Sequence, residues 1–179
     1  MSEEPLRHKA RACLESLGLD PELIERRGLP LFADAEELGV AEVAISGRPH
    51  QLRPDACAAW TALKSAAADD GIGLEIVSAF RSFDYQRGLI ERKCARGLGA
   101  DEIFAVSAPP GCSEHHSGRA VDIGTPGAEP LHESFEQTPA FDWLTRRAGE
   151  FGFRLSYPRD NRWGYAYEPW HWCFHPEAG

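Results

Sequence analysis

Helix and strand signals follow one another in this chain without regular alternation, and that irregular order is the strongest constraint on its fold. Apolar residues Ala10, Cys13, Leu14 and Leu17 fall on one helical face, with Gly18 as a stop. A second helix is predicted from near Pro54, carrying Trp60, Leu63, Lys64 and Ala67, and ending at Asp70-Gly71. A strand follows over 72–80. A third helix opens at Ser82 or Asp84, carries Tyr85, Leu89, Ile90 and Lys93, and ends near Gly97. After the loop Ala108-Pro109-Pro110-Gly111 come a short strand over 119–123 and a helix capped by Thr138-Pro139. That helix puts Phe141, Leu144, Ala148 and Phe151 on one face, and strands over 153–157 and 165–174 finish the chain. No glycine-rich turn follows a strand in the dinucleotide-binding manner. The expected class is α+β, a small and mostly antiparallel sheet with packed helices.

At 179 residues the chain is expected to form a single domain, with residues 1–48 as an N-terminal helical extension and the core over 50–174. Its 28 acidic residues against 19 Lys plus Arg give a net charge of −9, which argues against a nucleic-acid partner. No apolar run reaches the roughly 20 residues of a membrane span. The start Met-Ser-Glu-Glu-Pro lacks the basic and apolar regions of a secretory signal, so the expected compartment is the cytoplasm, unless another route exports the chain. Five cysteines with no C-x-x-C pair read as free thiols.

Chemistry concentrates in two distant segments. One is Ser113-Glu114-His115-His116-Ser117-Gly118-Arg119-Ala120-Val121-Asp122, and the other is Glu168-Pro169-Trp170-His171. Catalytic zinc usually takes three protein ligands from His, Asp, Glu or Cys and keeps a position for water. His115 and Asp122 flank a turn at Gly118, and His171 would complete a triad. On a regular strand Glu168 and His171 would point to opposite faces, and Pro169 makes regular pairing there unfavourable. His116 has no partner in this pattern and reads as a surface polar residue.

The pattern S-x-H-x-x-G-x-A-x-D followed by E-x-W-H resembles the zinc D-alanyl-D-alanine peptidases of the M15 family, of the VanY and VanX type. Their fold is shared with lysostaphin-type peptidases and the hedgehog signalling domain. Ser78-Ala79-Phe80-Arg81-Ser82 with Gln86, and the approach Ala108-Pro109-Pro110-Gly111-Cys112-Ser113-Glu114-His115, are similar to further family segments. So are Phe141-Asp142-Trp143-Leu144 and Gly152-Phe153 through Ser156-Tyr157-Pro158. The resemblance implies that His115, Asp122 and His171 bind one zinc ion. Glu168 would be the general base, and Arg81 would polarise the scissile carbonyl. Ser113 and Gln86 would hold the substrate carboxylate, with Trp170 as pocket wall.

Two departures stand out. Ala79-Phe80 replaces the family's Gly-Tyr before the arginine, and Pro169 gives a motif closer to the carboxypeptidase than the dipeptidase branch. The implied activity is removal of a C-terminal D-alanine from a peptidoglycan stem peptide or muropeptide. Alternatives are an L,D-carboxypeptidase, a D,D-dipeptidase, a lysin-type endopeptidase, or a zinc-containing peptide-binding module without catalysis.

Overall fold

A computed structural model describes residues 3–176. Four strands form one antiparallel sheet: β3 (Glu75–Ser78), β4 (Ala120–Gly124), β6 (His171–Phe174) and β5 (Phe153–Leu155), in that spatial order. A separate hairpin pairs β1 (Gly39–Val43) with β2 (Pro49–Leu52). The helices are α1 (Glu3–Ser16), α2 (Leu23–Arg26), α3 (Pro54–Asp69), α4 (Phe83–Ala95), α5 (Ala100–Ala105) and α6 (Pro139–Arg147). The class is α+β, as the order of signals implied.

Local chemistry sets the helix ends. Proline opens α3 and α6, where its missing N–H costs no intrahelical bond. The Thr138 hydroxyl caps α6 by accepting the Phe141 N–H at 3.2 Å. The Ser82 hydroxyl caps α4 by accepting the Tyr85 N–H at 3.1 Å. Gly18 and Gly71, at φ +70° and +77°, turn the chain out of α1 and α3.

Several elements differ from their expected bounds. The helical lead-in contains strand β1, whose Val40 and Val43 are exposed, so no buried alternation announces it. The strand predicted over 72–80 shortens to β3, and that over 153–157 to β5. Only the last four residues of the strand predicted over 165–174 are paired, because the chain turns through Pro169 first. On α4 the buried face is Phe83, Gln86 and Ile90, and Tyr85 is exposed.

The buried apolar side chains form two clusters. The larger packs Trp60, Leu63 and Ala67 of α3 and Trp143 and Leu144 of α6 against Ile76, Val121, Ile123, Phe153 and Trp172. Burying a side chain such as Leu63 or Ile123 contributes about 1.5–3 kcal/mol. The second joins Ala10, Cys13 and Leu14 of α1, Ile24 and Leu29 to Phe83 and Ile90 of α4, and to Tyr157 and Tyr165. The cleft described next is lined by residues of both clusters.

Candidate active site

Strand register builds the centre of the site. Asp122 in β4 lies opposite Ser78 of β3 on one side and His171 of β6 on the other. Its carboxylate is buried in the middle of the sheet, a costly position for a charge without partners. Oδ1 accepts from His171 Nδ1 at 3.0 Å, and Oδ2 accepts from Arg81 and lies 3.3 Å from His115 Nε2. Burial pushes the Asp122 pKa up, yet His115, Arg81 and His171 together hold it well below the usual carboxylate range.

His115 sits on a single 3-10 turn, Glu114–Ser117, which Gly118 ends at φ +68°. A Cβ at Gly118 would stand 3.0 Å from both Ala35 Cβ and Arg53 Cγ, so glycine suits both the conformation and the space. His115 Nδ1 donates to the Ala79 carbonyl at 2.7 Å, which leaves the Nε2 lone pair facing Asp122. Burial, with Arg81 beside it, pushes the His115 pKa down to about 4, so the ring is a neutral donor atom. His171 behaves oppositely. Burial disfavours its charge, but Asp122 and Glu114 on its two nitrogens raise its pKa to about 10.

One ligand atom from each of His115, Asp122 and His171 lies within 4.8 Å of the others, and all three residues are buried. Two imidazole nitrogens and a carboxylate oxygen match the donor set of catalytic zinc. The residues present therefore fit the implied ion.

Glu168 lies outside β6. The His171 N–H donates to the Glu168 carbonyl at 3.1 Å, closing a turn over Pro169. That turn removes the opposite-face problem of a regular strand. Glu168 Oε2 comes 3.8 Å from His171 Nδ1. Burial is the largest cause raising its pKa to about 7, with Asp122 and Glu114 adding to it and His171 and Arg81 opposing. A carboxyl group that titrates near neutrality can both take and return a proton at working pH.

Arg81 reaches the same centre. Its Nη2 touches Asp122 and His115 Nε2, the latter at 2.9 Å, and its Nε donates to Ser78 Oγ at 3.0 Å. The cleft, of about 290 Å³, is lined by all eight residues singled out from the sequence: Arg81, Gln86, Ser113, His115, Asp122, Glu168, Trp170 and His171. The Ser113 hydroxyl makes no capping bond to the turn it precedes. Gln86 is buried, with Nε2 donating to the Ala108 carbonyl at 2.8 Å and Oε1 unpartnered. Cys112 and Cys173 are free thiols in the packed interior, where burial pushes Cys112 up to about 12 and Cys173 higher.

Three contributors were not read from the sequence. Glu114 Oε2 accepts from His171 Nε2 at 2.9 Å, fixing the ring that presents Nδ1 to Asp122. Burial opposes the charge of Glu114, and His171 holds its pKa down. His116 is fully buried rather than on the surface. Its Nδ1 donates to the Arg81 carbonyl at 2.6 Å and its Nε2 accepts from the Gly111 N–H at 3.1 Å, so it is a neutral clamp on the arginine's backbone. Tyr157 lies against His171 with ring centres 4.6 Å apart. The doubled histidine beside Pro-Pro-Gly was the available signal for His116; Glu114 and Tyr157 lie inside the segments that resemble the family, and the resemblance gave them no role.

The chain is similar in sequence and fold to known proteins. The LdcB LD-carboxypeptidase superposes with a TM-score of 0.71 at 30% identity, over 79% of this chain and 69% of that one. A VanY D,D-pentapeptidase from a VanB-type resistance cassette, in complex with Zn(II), gives a TM-score of 0.62 at 28% identity, over 82% of each chain. YodJ of Bacillus subtilis (strain 168) is 32% identical over 123 residues, 67% of this chain. The chain spans about half of that curated relative, 45% of its length. The VanY family, described as D-alanyl-D-alanine carboxypeptidase, matches residues 49–177, a stretch that holds every ligand and cleft residue named above. With that match, and a fold held in common with VanY itself, the chain belongs to the VanY D-alanyl-D-alanine carboxypeptidase family.

Proposed function

We propose that this chain is a zinc-dependent D,D-carboxypeptidase that removes the C-terminal D-alanine of peptidoglycan stem peptides. The observation that carries the reading is the buried cluster of His115, Asp122 and His171, with Glu168 beside it and its pKa raised to about 7. Zinc on these three ligands would polarise the scissile carbonyl and lower the pKa of a bound water to about 7.

The chain's own residues do the rest. Glu168 takes a proton from the attacking water and delivers it to the leaving amine. Arg81 places a fixed guanidinium against the charge that develops on the carbonyl oxygen, an interaction typically worth about 3–4 kcal/mol in a dry site. His116 holds the Arg81 backbone and so acts by positioning it. The Ser113 hydroxyl lines the cleft where the terminal carboxylate would lie, Gln86 lines it with its amide committed to Ala108, and Trp170 adds an apolar wall.

The reading is tested with zinc-loaded and chelated protein on defined tri-, tetra- and pentapeptides, with products identified by mass spectrometry. Loss of one D-alanine from the pentapeptide, abolished by chelation and restored by zinc, is the expected result. Glu168→Gln should keep zinc and lose about 10²- to 10⁴-fold in kcat. Full activity after metal removal refutes the reading, and cleavage of tetrapeptides alone replaces it with the L,D-carboxypeptidase.

A further inference from the structure

Two basic side chains, Arg81 and Lys93, line the cleft. Arg81 is engaged by Asp122, His115 and Ser78. Lys93 is not engaged by any acid. Its Nζ donates to Ser107 Oγ at 2.6 Å, and among the described residues no carboxylate lies within ion-pair distance of it. Lys93 is half-buried, and burial, with Arg81 nearby, pushes its pKa down against the weaker opposing pull of Glu168. A desolvated ammonium without a counter-ion is an unfavourable arrangement unless an anion meets it. In a chain of net charge −9, this cation has no acid in ion-pair contact among the described residues, and Glu168 across the cleft acts on it only at longer range.

Its place in the cleft is defined by two adjoining anchors. Gln86 and Lys93 share one face of α4, and Gln86 Nε2 donates to the Ala108 carbonyl while Lys93 Nζ donates to the preceding residue, Ser107. The amide and the ammonium are thus anchored on two consecutive residues of one cleft wall, Ala108 and Ser107. The amide leaves its Oε1 without a partner, and an oxygen acceptor repels a carboxylate. Ser113 adds one neutral hydroxyl. A carboxylate held here by neutral groups alone would enter a partly dry site unpaired.

We propose that Lys93 is the specificity-determining cation that pairs with the free C-terminal carboxylate of the peptide, making the site an exopeptidase site. This rests on the carboxypeptidase reading above. Ser107 acts as the positioning residue, holding the ammonium against the cleft wall until the carboxylate arrives.

The test is equilibrium binding by zinc-loaded Glu168→Gln protein of a D-Ala-D-Ala-terminated peptide and of its C-terminal amide. Lys93→Met and Lys93→Arg are compared with the Lys93 parent, and thermal unfolding checks that each is folded. The parent should prefer the acid, and Lys93→Met should lower the acid-over-amide ratio by about ten- to a hundredfold, as expected for a charge-assisted hydrogen bond. Lys93→Arg should restore most of the ratio. The same ratio in parent and Lys93→Met overturns the proposal, as does a Lys93 effect that appears only when residue three of the peptide carries a side-chain carboxylate. Hydrolysis by the unaltered protein is measured separately. If it cleaves neither peptide while binding still depends on Lys93, the carboxypeptidase reading fails and the carboxylate pairing stands.

Discussion

Glu114→Ala should weaken zinc binding without unfolding the protein. His171 would ligate through Nδ1, and its ring orientation is fixed from the far side by Glu114 Oε2, 2.9 Å from Nε2. A carboxylate in that position fixes the tautomer and makes the ligating nitrogen more basic. Loss of such a partner typically costs 10- to 100-fold in metal affinity, or about 1.4–2.8 kcal/mol. The structure favours the upper part of that range for alanine, because Glu114 and His171 are both buried and the orphaned N–H finds little water. Glu114→Gln keeps an acceptor oxygen and loses only the charge, so a loss near tenfold is expected. The assay is competition against a chromophoric chelator at fixed pH and ionic strength, with thermal unfolding run in parallel. A global defect would lower the unfolding temperature and leave the zinc constant of the folded fraction unchanged. If both variants bind zinc within twofold of the unaltered protein, Glu114 does not orient His171 and the reasoning is wrong.

Zinc binding at pH 7.5 should release about one proton, seen as a dependence of the calorimetric heat on buffer ionisation enthalpy. The His171 pKa is raised to about 10 without metal, so the ring carries both protons at that pH and must lose one to ligate. The same shift fixes a stability trend: the folded pKa lies above the ordinary value of 6.5, so this contribution is fully present below pH 6.5 and is lost as pH rises through about 10. Chemical denaturation of chelated protein across that window checks the sign. Gly118→Ala should cost at least about 1–2 kcal/mol in denaturant unfolding, because φ +68° is left-handed and the added Cβ meets Ala35 and Arg53 at 3.0 Å.

The candidate ligands were legible because residue type and spacing are local properties. His115, Asp122 and His171 stand out as a histidine-and-acid set around a glycine turn, and the structure brings their ligand atoms together. What supports them was hidden, since it depends on pairing between distant segments. Glu114 is only a motif neighbour of His115 in the sequence, and the register that sets His171 opposite Asp122 brings the ring to it. His116 reads as a surface ring until the loop 108–111 and the segment 79–81 close over it. The excess strand lengths share one cause: alternation continues into residues that leave the sheet, as at Trp170, whose carbonyl still accepts from Ile123 at 2.8 Å outside β6.

The lead-in of residues 3–48 has a physical role that periodicity could not disclose. Ala10 and Leu14 of α1, with Ile24 and Leu29, pack in the same cluster as Ile90, on the buried side of α4. Both oxygens of Asp34 accept the Phe83 N–H, at 2.8 and 3.1 Å, at the first turn of that helix. The helix thus fixed carries Gln86, Leu89 and Lys93 into the cleft. The candidate metal ligands stand on the sheet and on the turn beside it, whereas this wall of the cleft stands on a helix braced by the N-terminal segment. The two halves of the site therefore rest on separate apolar clusters. A change in the lead-in should alter peptide affinity before it alters zinc affinity, because the sheet cluster that carries Asp122 and His171 does not include α1.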